Sequence, residues 1–96
     1  MAAYLIAEIT DVSDPAGMEE YRGVVGATVE QYGGRFIARG GKTELVEGEP
    51  YPGRIVIIEF PSYERAKAWY DSEEYRQPKA QRMRCSTGRL FFTDGV

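Results

Sequence analysis

The sequence predicts an α+β fold with the element order β-α-β-β-α-β, and three observations carry the prediction. Four short segments read as strands, three by alternating apolar and polar residues and one by a run of β-branched residues. Two longer segments carry apolar side chains at every third or fourth position, the spacing of a helix with one buried face. Turn and capping residues stand at the junctions between these segments.

The organising stretch is RIVIIEFPSYERAKAWYDSEEY, Arg54 to Tyr75, where an apolar strand passes through Pro61 into a helix capped by Ser62. Upstream of it, Tyr4–Thr10 alternates, with Leu5, Ala7 and Ile9 on one face and Tyr4, Ile6 and Glu8 on the other. Asp14-Pro15 supplies an N-cap followed by a proline at the first helical position, where its missing N–H costs nothing. The helix then runs over Pro15–Tyr32 on a stripe of Met18, Tyr21, Val25, Val29 and Tyr32, and Gly33-Gly34 stops it. Gly23 and Gly26 each cost about 1 kcal/mol relative to alanine inside a helix, which suggests close approach to a neighbouring backbone.

Arg35–Arg39 alternates as the second strand, Gly40-Gly41 reads as a bulge or bend, and Lys42–Glu47 reads as that strand's extension. Glu47–Arg54 is turn chemistry and delivers the third strand, Arg54–Phe60. After the Ser62–Tyr70 helix, Asp71-Ser72 recaps a second helical piece, and Pro78 is expected to break or restart it before Ala80–Cys85. Arg89–Thr93 alternates as the fourth strand.

This order is the ferredoxin-like plan, a four-stranded antiparallel sheet in the order 4-1-3-2 with the helices on one face. Leu5, Ala7, Ile9, Phe36, Ala38, Val56, Ile58, Phe60, Leu90 and Phe92 form the cleaner apolar set and are assigned to the helix face. The other face mixes Tyr4, Ile6, Glu8, Arg35, Ile37, Arg39, Ile55, Ile57, Glu59, Arg89 and Phe91. Leaving its larger apolar side chains in water forgoes about 1.5–3 kcal/mol each. Few residues remain to cover them, so a second copy of the chain is the expected lid, making a homodimer.

The bulk numbers narrow the function classes. Residues 1–96 make one domain, 43% hydrophobic and 28% charged, with a formal charge of −3. The basic residues are scattered among acids, so nucleic acid is not an expected partner. No apolar run reaches the roughly 18–20 residues of a membrane span, and MAAYLIAEIT lacks a basic leader region, so a cytoplasmic protein without a membrane partner is expected. There is no histidine, which excludes Ser/His/Asp and Cys/His nucleophile systems and histidine-ligated haem. No phosphate-binding loop occurs, no metal site is expected, and Cys85 reads as a structural residue.

The segments YGGRFIARGG at 32–41, PGRIVIIEFPS at 52–62, AWYDSEEY at 68–75 and TGRLFF at 87–92 resemble a family of short proteins classed as a domain of unknown function, family thirteen-thirty. The resemblance spans nearly the whole chain and implies a dimeric α+β barrel. That superfamily also holds cofactor-free monooxygenases, muconolactone isomerases and chlorite dismutase-like haem proteins, so the resemblance implies fold and dimer and no single activity. Gln81 departs from it, standing where an apolar residue is expected.

Two groups of residues could carry chemistry. Antiparallel pairing is expected to set Glu8 between Arg39 and Arg89 on the mixed face, either as a pocket for a small anionic or enolisable molecule or as interface salt bridges. Asp71, Ser72 and Tyr75 lie at the bend between the helical pieces, as cavity-lining groups or, for the first two, as helix caps. In the enzyme reading Glu8 or Asp71 is the base, Arg39 holds developing negative charge, Arg89, Ser72 and Tyr75 bind the ligand, and no cofactor is needed. In the alternative the chain is a non-catalytic dimer whose charged sheet face serves assembly. Arg35 and Glu59 read as a cross-strand ion pair, and Trp69 and Tyr70 as core.

Overall fold

The computed structural model describes residues 1–49 and 53–96. The strands are β1 (Ala3–Val12), β2 (Arg35–Arg39), β3 (Arg54–Phe60) and β4 (Ser86–Asp94), and the helices are α1 (Pro15–Gln31), α2 (Tyr63–Tyr70) and α3 (Glu73–Cys85). One antiparallel sheet runs in the order β2-β3-β1-β4, the expected arrangement. The caps sit where the sequence places them: Asp14 accepts from the Gly17 N–H at 3.1 Å and Ser62 from the Arg65 N–H at 3.1 Å. Among the described residues no helix is long and apolar enough to cross a membrane.

The core lies between the helices and one face of the sheet. Leu5, Ile58 and Phe60 from the strands meet Val25, Val29, Ala66, Trp69 and Tyr75 from the helices. Trp69 is the centre of this layer. Its ring stacks on Tyr75 with centroids 4.0 Å apart, and its indole N–H donates to Thr28 Oγ1 at 3.0 Å. The opposite face of the sheet is bare in the single chain, with Ile37 47% and Phe91 40% exposed, and the molecule is only 17 Å thick.

Four expectations are corrected. First, β2 carries a bulge: Phe36 pairs with Ile58 but Ala38 pairs with Ile57, so one extra residue intervenes. Paired residues share a face, so Ala38 turns to the bare face and Arg39, opposite Val56, turns to the helix face. The assignment of Ala38 to the helix face and of Arg39 to the mixed face is reversed. Second, Lys42–Glu47 does not extend β2. Gly40 takes φ +73°, the chain leaves the sheet there, and Val46 is 82% exposed. The turn expected over Glu47–Arg54 falls partly outside the described residues.

Third, Pro78 neither breaks nor restarts the helix; α3 runs unbroken from Glu73 to Cys85 with Pro78 inside it. The break lies earlier, at Asp71-Ser72. Ser72 caps α3 by accepting from the Tyr75 N–H at 3.1 Å, and its hydroxyl donates to the Trp69 carbonyl at 2.7 Å. Acidic Glu73 and Glu74 in the first turn and basic Arg82 and Arg84 in the last complement the helix dipole. Fourth, nothing lies within 4 Å of where a side chain at Gly23 or Gly26 would begin, so these glycines mark no close backbone approach. Gln81 earns its polar character by donating from Nε2 to the Gly17 carbonyl at 2.9 Å, which ties α3 to α1.

Candidate functional site

A cavity of about 50 Å³ opens inside the helix-facing side of the sheet. Its walls are mostly apolar, with Leu5, Ala7 and Val56 as floor and Met18, Val25 and Trp69 as roof. Against that background the polar groups stand out, because a charge lining an apolar space must be paired or solvated. They form two groups.

The first is a cluster of three arginines, Arg22 from α1, Arg39 from β2 and Arg54 from β3. Arg39 borders the cavity because the bulge turns it to the helix face, where it stays exposed, and its guanidinium lies 4.0 Å from the centroid of the Phe36 ring. Its Nη2 donates to the Arg22 carbonyl at 3.3 Å, and Arg54 Nη2 donates to the Arg39 carbonyl at 3.4 Å. The guanidinium pKa of Arg54 is lowered by burial first, then by the charges of Arg22 and Arg39. Among the described residues only Arg22 has a carboxylate partner, Glu19 at 3.1 Å, which is itself 78% exposed. Arg22 Nε is buried with no hydrogen-bond partner, the one such side-chain atom among the described residues. Among the described residues three cations thus share one exposed carboxylate; Arg39 is exposed to solvent, and Arg22 Nε is a buried donor left unpaired.

The second group is Tyr21, Tyr75 and Arg82. The two phenol oxygens are 2.8 Å apart, and Arg82 Nε donates to Tyr75 Oη at 3.2 Å. Tyr75 is fully buried and Arg82 is 8% exposed, and Arg82 has no ion pair among the described residues. Burial pulls the Arg82 guanidinium down, but the phenols of Tyr75, Tyr21 and Tyr70 more than offset it and raise its pKa. The Tyr21 phenol is raised by burial first and by Tyr75 next. Arg82 also borders an outer cleft of about 380 Å³, together with Tyr70 and Met83.

The residues singled out from sequence therefore divide. Arg39 and Tyr75 line the cavity. Glu8 and Arg89 meet on the bare face, with Arg89 Nε donating to Glu8 Oε1 at 2.9 Å and Nη2 to Oε2 at 3.3 Å. Arg39 is not beside them, so the expected carboxylate between two arginines does not form. Asp71 is the exposed C-cap of α2, away from the cavity lining, and Ser72 acts as the buried cap of α3. Arg35 and Glu59 pair at 2.8 Å as expected. The Cys85 thiol is raised by burial and by the Asp14 carboxylate, which suits an inert structural residue. No group of three or more His, Cys, Asp or Glu that could hold a metal ion occurs among the described residues.

Sequence reasoning missed Arg22, Arg54, Tyr21 as a polar group, and Arg82. One signal was available: Arg54 has the same parity as Val56 and Ile58 and so belongs to the helix face of β3. The seven-residue spacing of Tyr75 and Arg82, two helical turns, was another.

A family model described as "Domain of unknown function (DUF1330)" matches residues 2–96. Solved structures share the fold. A protein of unknown function from Rhodopseudomonas palustris is 16% identical with a TM-score of 0.71, covering 99% of this chain and 82% of that one. SnoaB, a cofactor-independent oxygenase from Streptomyces nogalater, is 14% identical with a TM-score of 0.70, covering 99% of this chain and 93% of that one. An ethyl tert-butyl ether d (ethd) family protein from Bacillus halodurans is 13% identical with a TM-score of 0.61, covering 100% of both. At these identities the likeness establishes the ferredoxin-like α+β fold. No curated protein matches the sequence.

Proposed function

The chain belongs to this domain-of-unknown-function family, and we propose that it binds a small, otherwise apolar carboxylate in the cavity between its helices and sheet. The observation that carries the proposal is the arginine cluster at an apolar cavity, three guanidiniums that share one exposed carboxylate among the described residues, with Arg22 Nε buried and unpaired. Guanidinium forks match a planar carboxylate, and the apolar walls suit the rest of such a molecule. Among the described residues the cavity lining contains no carboxylate, so neither Glu8 nor Asp71 serves as base for a ligand bound there. The polar groups able to move a proton at this site are the phenols of Tyr21 and Tyr75. SnoaB acts as a cofactor-independent oxygenase on a similar fold, which is compatible with cofactor-free chemistry here and does not require it.

Thermal unfolding of the wild type and Arg39→Leu in rising valerate, benzoate and phenylacetate tests this. The wild-type midpoint is expected to climb with concentration, by about 2.7 kcal/mol of added stability when ligand stands at 100 times its Kd, and the variant to climb far less. No rise with any of the acids, or an equal rise in both proteins, refutes the site.

The bare sheet face supports a second feature of the function, a homodimer. Ile6, Ile55 and Ile57 lie half-buried there beside the more exposed Ile37 and Phe91, and covering each contributes about 1.5–3 kcal/mol. In such a dimer the Glu8–Arg89 pair would lie inside the interface. Sedimentation equilibrium is expected to return twice the chain mass for the wild type and a monomer for Ile57→Lys; a wild-type monomer at micromolar concentration removes the dimer.

A further inference from the structure

Resting on the carboxylate reading above, we infer that Tyr21, Tyr75 and Arg82 form a second recognition point in the same cavity. It takes a carbonyl or enolate oxygen of the bound acid, so the ligand class is a short oxo acid and not a plain fatty acid. Two phenols bring two hydroxyl hydrogens, and the 2.8 Å contact between their oxygens uses one of them. The other has no acceptor among the described residues. If Tyr75 donates to Tyr21, the spare hydrogen is on Tyr21; if Tyr21 donates to Tyr75, it is on Tyr75.

The surroundings favour the second arrangement once an acceptor is present. Tyr75 Oη already receives the Arg82 Nε–H at 3.2 Å, and a phenol oxygen that accepts from a cation becomes a stronger donor. With Tyr21 donating as well, both acceptor positions of Tyr75 Oη are filled and its hydrogen is offered outward. Tyr75 is fully buried and lines the cavity, so the acceptor must come from within that space. Trp69, stacked on the Tyr75 ring at 4.0 Å, fixes the direction in which the hydroxyl points. An aliphatic ligand fills the space and leaves the hydrogen unmet, whereas a carbonyl oxygen meets it. An enolate oxygen does so better, since it also answers the positive charge of Arg82. The cavity thus has cations and donors in both of its polar groups and no carboxylate, which selects a molecule with two oxygen functions separated by apolar carbon.

The experiment compares two acids that differ at one carbon. Valerate and levulinate, which is 4-oxopentanoate, share chain length and carboxylate and differ by one carbonyl oxygen. By calorimetric titration of the wild type, levulinate is expected to bind about three- to tenfold more tightly, the effect of one hydrogen bond made instead of missed. Tyr75→Phe is expected to erase that preference. Tyr21→Phe is expected to keep the preference, because Tyr75 still carries its hydrogen and still accepts from Arg82. In the wild type the carbonyl resonance of [4-13C]levulinate is expected to move downfield on binding, a readout that needs no variant to fold. Equal wild-type affinity for the two acids, or a preference that survives Tyr75→Phe, overturns this inference and leaves the arginine site standing. Binding of neither acid refutes the arginine site itself.

Discussion

Gly40→Ala tests how the end of β2 builds the arginine cluster. Gly40 has φ +73°, a left-handed conformation that costs a residue with a Cβ about 1–2 kcal/mol. Its N–H donates to the Ile55 carbonyl at 2.8 Å, so the strained turn is held against β3 and cannot simply relax. A Cβ built there would also overlap the Arg54 guanidinium, reaching Nε, Cζ and Nη2 together. That guanidinium ends a flexible side chain, so it will swing away at little cost and leave the cluster. Two separate effects are therefore expected. Stability in urea falls by about 1–2 kcal/mol from the backbone, a loss of roughly 4–16 °C in Tm for a domain of this size. Carboxylate affinity falls to the level of Arg54→Leu. Gly40→Asn separates the two, because asparagine tolerates the left-handed region yet still carries a Cβ: most of the stability returns and the affinity does not. A Gly40→Ala protein with wild-type stability and wild-type valerate binding refutes both the turn and its role in placing Arg54.

Two further expectations follow from the helices. Gly23→Ala and Gly26→Ala each stabilise the folded chain by about 0.8–1 kcal/mol, since both sit inside α1 with open space around them; urea melts of the single and double variants check this, and a loss of stability means that another surface packs there. The Tyr21 phenol is raised above its ordinary value of 10.0, by burial first and Tyr75 next, so above pH 10 the unfolded chain releases a proton that the folded chain keeps. Stability is full below that pH and falls as pH rises beyond it, by about 1.4 kcal/mol per pH unit for this group. Tyr21→Phe should flatten that slope by about half a proton at pH 10 and by about one near pH 11, read from urea midpoints, and an unchanged slope shows that Tyr21 ionises freely in the folded state.

The local features were legible from the chain alone because their causes are local. Asp14, Ser62 and Ser72 cap helices through their own side chains three residues ahead, and β1, β3 and β4 declare their faces by composition and parity. The strand order followed from the element order, since handed crossovers leave few ways to close such a sheet. The candidate site was legible only in fragments, Arg39 and Tyr75.

What the tertiary structure decided is which groups face one another. Parity along β2 predicts a face only until an unpaired residue intervenes, and that bulge depends on how β2 meets β3 and not on the sequence of β2 alone. A single extra residue carries Arg39 from beside Glu8 to beside Arg22 and Arg54, and with it the candidate site moves from the bare face to the helix-facing side of the sheet. In the same way, a helical stripe shows that Tyr21 and Tyr75 turn inward, but only the packing of α3 against α1 sets their oxygens 2.8 Å apart and brings Arg82 to them. Local chemistry therefore determined the elements and their order, while contacts between residues distant in sequence placed the charges that a ligand would meet.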